Sequence, residues 1–174
     1  MSKKIFKYLI DVILILVTFI LQICVLNKLD FFGITPNLIL VEVIMVSIML
    51  ENKKSVNFSL IMGLISDIIF EMQIGKYLLT YVIISFIVNE FGNKYRKDNK
   101  AAIIYVTFIS IVIFELINLG IYIFKFGEMV SIIAFLKQTA LQGILSIGIA
   151  FLVYKIFDET YLQKQKVQVK IARL

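Results

Sequence analysis

Four ionisable side chains lie well inside apolar runs: Glu42, Asp67, Glu115 and Lys137. On insertion scales a charge in hydrocarbon costs about 2.5–3.5 kcal/mol, and such groups face the interior of a helix bundle. At about 1.5 Å of rise per residue, Glu42 lies roughly 10 Å below the outer end of its run, and Asp67 roughly 6–9 Å. Glu115 lies roughly 15 Å and Lys137 roughly 12 Å from the same side. One depth for all four predicts a single buried polar cluster. Gln22, Asn118, Gln138 and Gln142 sit at a height to join it. Two chemistries suit such a cluster. One is a substrate, ion or proton site. The other is polar glue, with Lys137 paired to Glu42 or Glu115 so that helix order is fixed.

Other chemistry is excluded by what is missing. The chain has no histidine and one cysteine, Cys24. Cys/His zinc sites, haem held through His, Ser-His-Asp triads and disulfide frameworks are therefore out of reach. No acid pair stands at a spacing that suits catalysis. The sequence thus predicts no catalytic residue, no metal site and no cofactor.

The elements that position these residues are read from hydropathy. Of 174 residues, 60% are hydrophobic and 17% charged. A soluble domain averages about 45–50% and about 25%. A core of this size cannot hide that excess, and disorder needs the opposite composition. The fold class expected is an all-α integral membrane protein, a six-transmembrane-helix bundle. A span needs about 20 apolar residues. The six candidates are 8–27, 36–50, 55–70, 74–91, 101–124 and 129–157, forming one domain over 1–157. The basic tail 158–174 follows; its stretch 166–171 alternates polar and apolar residues, the period of a strand. The first run is 20 residues long with no small-residue cleavage site behind it, so it reads as an uncleaved span.

Charge sets the orientation. Lys3, Lys4, Lys7, Lys53, Lys54, Lys94, Arg96, Lys97, Lys100, Lys155, Lys164, Lys166, Lys170 and Arg173 fall on one side of a six-span layout. Only Lys28, Lys76 and Lys125 fall on the other. Lys and Arg collect on the cytoplasmic side, so both termini are expected there. The tyrosines, Tyr77 and Tyr122 among them, are expected in interfacial belts.

A second pattern runs along the third span. Ser55, Ser59 and Gly63 recur every four residues, and Asp67 continues the face. Small residues at that spacing let another helix approach closely. The stripe therefore aims Asp67 at protein.

Pro36, Asn37 and Leu38 open the second span, and Gly63-Leu64-Ile65-Ser66-Asp67 closes the third. Ile74-Gly75-Lys76-Tyr77 then follows. This arrangement resembles MreD, a family of bacterial rod-shape-determining membrane proteins. The family's motif positions fall here on Pro36, Asn37, Gly63, Asp67 and Gly75, with Asn37 where Asp is more usual. An acid in the fifth span is matched by Glu115. The resemblance implies a non-enzymatic scaffold of the cell-elongation complex, acting in cell shape and lateral peptidoglycan synthesis. The partners it implies are an MreC-like protein, the MreB filament and the RodA–penicillin-binding-protein synthase, in membrane lipid and without nucleic acid. It also implies an architecture similar to the substrate-binding subunits of energy-coupling-factor transporters. A vitamin-type transporter subunit is thus the alternative function, although the first span lacks the alanines that dock such subunits.

Overall fold

The computed structural model describes residues 13, 15–26, 28, 34–50, 52–71, 75–92, 100–127 and 131–157. The tail 158–174, the first residues of the first expected span and the basic loop 93–99 lie outside them. Among the described residues the chain forms six helices and no strand. They are α1 (Ile15–Leu26), α2 (Leu38–Met49), α3 (Asn52–Ser66), α4 (Lys76–Gly92), α5 (Lys100–Phe126) and α6 (Ile132–Phe157). The last turn of α1, Gln22–Leu26, and the extension of α3, Asp67–Glu71, are wound as wider π-helix.

Helix α2 is the central post. Every residue from Ile39 to Ser47 is buried. A helix apolar on all sides has no solvent face to offer and so is enclosed by others. Here it packs against α3, α4, α5 and α6. Leu40, Val43 and Ile44 meet Phe19, Met62, Tyr81, Ile84, Ile111 and Phe114 on one side. Val41 and Met45 meet Ile103 and Ala150 on the other.

The closest pairing is α3 with α4, and the small-residue stripe explains it. Ser55 and Ser59 are fully buried. A Cβ added at Gly63 would stand 2.5 Å from the Leu78 Cα, so only hydrogen fits between these backbones. Two buried hydroxyls are bonded between helices: Asn89 donates to Ser55 Oγ at 2.6 Å, and Ser47 donates to Ser85 Oγ at 2.9 Å. The second bond ties α2 to α4.

Among the described residues two helices are long and apolar enough to cross a membrane, 103–126 within α5 and 132–153 within α6. Only 33% and 22% of their most apolar windows are buried. A core helix of a soluble protein would be mostly enclosed. Instead Ile109, Leu116, Phe124, Ile133, Ile144 and Leu152 point outwards, each more than half exposed. Helices α1 and α2 are apolar but shorter, while α3 starts in Asn52-Lys53-Lys54, three residues before the expected span.

Candidate functional site

Asp67 is the pivot of the α3–α4 corner. Its carboxylate is fully buried and accepts three backbone bonds. Gly75 N–H donates to Oδ2 at 2.7 Å, Tyr77 N–H to Oδ1 at 2.7 Å, and Leu78 N–H to Oδ2 at 3.2 Å. The reason lies in the next helix. Gly75 stands at its N-cap position with φ +134°, a conformation that L side chains rarely adopt. A glycine there turns the chain but has no side chain to cap the free N–H groups. Asp67 caps them from the preceding helix, and its charge favours the positive end of α4. Gly63, Asp67 and Gly75 thus form one construction: close approach, long-range cap and turn.

Pro36 and Asn37 form a second one. Asn37 Oδ1 accepts the Leu40 N–H at 2.9 Å, the ordinary N-cap bond of α2. Its amide donates to Tyr81 Oη at 3.3 Å. Gln22 reaches over from α1, donating to the Pro36 carbonyl at 3.2 Å and accepting the Leu38 N–H at 2.8 Å. Two motif segments thus cap α2 and α4, and Tyr81 links them.

Between these caps and the ends of α5 and α6 lies a cavity of about 560 Å³. Gln22, Asn37, Phe70, Lys76, Tyr77, Tyr81, Phe114, Glu115, Asn118, Gln138 and Gln142 are among the residues that line it. All four polar residues expected to join the layer line it. Its floor is a run of rings: Tyr77 stacks on Phe114 at 6.2 Å, and Tyr81 on Phe114 at 6.3 Å. Tyr77 therefore turns inwards, not into the interfacial belt expected of it.

The single charged cluster is not what forms. Glu42, Asp67 and Glu115 are each buried, at 5%, 0% and 6% exposure. They serve three separate places. Glu42 faces α1, where Thr18 bonds to it, and its Oε2 has no partner among the described residues. Asp67 caps α4. Glu115 lines the cavity and accepts from Gln138 at 3.5 Å. Lys137 is exposed and pairs with none of them. The buried stripe of α6 runs through Thr139, Gln142, Ser146 and Ala150. At about 100° per residue, Lys137 projects from the opposite face. Its direction is not the one expected.

The cation at the site is Lys76, which pairs with Glu71 and lies 5.1 Å over the Tyr77 ring. Sequence reasoning missed it by counting Lys76 only as a loop charge. Its place beside Gly75, one residue into the capped helix, was the available signal. Among the described residues no three His, Cys, Asp or Glu side chains gather as a metal site would need.

No curated protein and no solved structure matches the chain. The likeness to energy-coupling-factor subunits, and the transporter function that rested on it, therefore find no support. A family model does match: rod shape-determining protein MreD, over residues 2–160. That range takes in both capping constructions, α1 to α6 and the cavity. The chain belongs to the MreD family, membrane proteins of rod-shape determination.

Proposed function

We propose that the chain is a non-enzymatic scaffold of the bacterial cell-elongation complex, with six spans in the cytoplasmic membrane and both termini in the cytoplasm. Its contacts are an MreC-like protein, the RodA–penicillin-binding-protein synthase and the MreB filament. One observation carries this reading above the others. The most prominent acid of the family motif, Asp67, is occupied by three backbone N–H groups and has no role left in chemistry. The motif spends its residues on holding helices in place, as a scaffold needs. The apolar outer faces of α5 and α6 suit lipid and neighbouring spans alike.

Affinity capture from membranes of a rod-shaped bacterium tests the reading. The tagged chain should bring down the host's MreC-like protein in near-equal amount. Capture of the chain alone, from cells in which it accumulates, would reject the scaffold. Reporter fusions after residue 174 and in the loop 92–100 should both score cytoplasmic. A score on the outer side for either breaks the six-span layout.

A further inference from the structure

The cavity between the caps holds polar groups that the fold itself leaves unused. Gln142 is 6% exposed, and no hydrogen bond engages its amide among the described residues. Asn118 lines the same wall with its side-chain oxygen buried and without a partner among the described residues. Glu115, also 6% exposed, accepts one long hydrogen bond among the described residues, from Gln138 at 3.5 Å. Buried polar groups are normally paired, so three under-used ones around one space point to an occupant. The volume, about 560 Å³, falls within the roughly 300–1,000 Å³ of small-molecule sites.

The walls define the chemistry. The charged side chains of the lining are Lys76 and Glu115, one of each sign, so the lining has no net charge to select an anion or a cation. An ammonium ion offers donors only and a phosphate chiefly acceptors, whereas each side-chain amide presents a donor and an acceptor. A hydroxyl group does both and matches the amides. The stacked Tyr81 and Phe114 rings add an apolar wall, on which the C–H face of a saturated ring can lie. We propose that this cavity binds a neutral hydroxylated ligand of the sugar class, held by Gln142, Asn118 and Glu115 against the Tyr81–Phe114 wall. The ligand is either a free sugar or the sugar headgroup of a membrane lipid. The inference stands apart from the scaffold role and does not depend on it.

The test uses the full chain purified in a sugar-free polyoxyethylene detergent. Maltose is titrated calorimetrically, with choline and inorganic phosphate as charged controls. In a second arm the chain is placed in nanodiscs with and without glucosyl diacylglycerol, and its melting temperature is read. Binding in either arm supports the proposal, and the arm that responds identifies the source. Gln142→Leu should weaken binding about 3- to 10-fold, the effect of one lost neutral hydrogen bond. Its own melting temperature should equal or exceed that of the wild type, because an unpaired buried amide is removed. Asn118→Ala should weaken binding to a similar extent. The proposal is overturned if neither sugar probe binds, or if choline or phosphate binds in their place. It is equally overturned if Gln142→Leu leaves affinity unchanged or lowers the melting temperature without ligand.

Discussion

Removing the Asp67 cap should loosen the α3–α4 corner by an amount that can be worked from its bonds. The carboxylate accepts from the backbone N–H groups of Gly75, Tyr77 and Leu78. A hydrogen bond to a charged group is worth about 1.5–3 kcal/mol. Three would sum to far more than any N-cap measured, because caps usually cost about 0.5–2 kcal/mol when lost. The truth lies between, since Gly75 is half-buried and water can reach part of what Asp67 leaves. Asp67→Ala should therefore cost about 2–4 kcal/mol. Asp67→Asn is the sharper probe. Gly75 and Leu78 share Oδ2, while Tyr77 uses Oδ1. An amide turned to keep the shared oxygen aims its NH2 at the Tyr77 N–H, donor against donor. It loses one bond and the charge, so the cost should be about 1–2 kcal/mol. The assay is reversible unfolding in mixed detergent, followed by helical circular dichroism. The expected order is wild type, then Asn, then Ala. An Asn variant as stable as the wild type, or an Ala variant no worse than Asn, refutes the long-range cap.

Gly63→Ala forces a methyl to 2.5 Å from the Leu78 Cα, so it should cost about 1–3 kcal/mol in the same unfolding assay. Gly120→Ala, where nothing lies within 4 Å, should be neutral or slightly stabilising. Asn37→Asp should keep the cap on Leu40 and leave stability within about 0.5 kcal/mol, whereas Asn37→Ala should cost about 1 kcal/mol. Lys137→Met should leave folded yield in the membrane unchanged, because the exposed ammonium pairs with no acid among the described residues; a fall in yield would show a pairing.

Apolar run length carries most of the helix layout, and the ends of helices α2 and α5 fall within two residues of the apolar runs 36–50 and 101–124. The start of α3 is less legible. Hydropathy stops at Ser55, but Asn52-Lys53-Lys54 continue the helix, because the lysines favour it without needing burial. The stripe Ser55–Ser59–Gly63 reads correctly, since small residues have one advantage in a span, close approach. The role of Asp67 was hidden. A backbone N–H has no side-chain signature, so a carboxylate reaching 8–11 residues ahead leaves no trace in spacing. The direction of Lys137 needed the phase of Thr139, Gln142 and Ser146 along α6.

The scaffold account is tested most directly by cell shape. A rod-shaped bacterium depleted of its own MreD protein is supplied with this chain, and cell length and width are measured under the microscope. The account predicts restored rods with the wild-type chain. It also predicts rods with Asp67→Asn when expression compensates for the lost stability, because Asp67 acts through structure alone. Round cells with the wild-type chain folded in the membrane would contradict the function. Round cells with an equal amount of folded Asp67→Asn would contradict the purely architectural role of its motif.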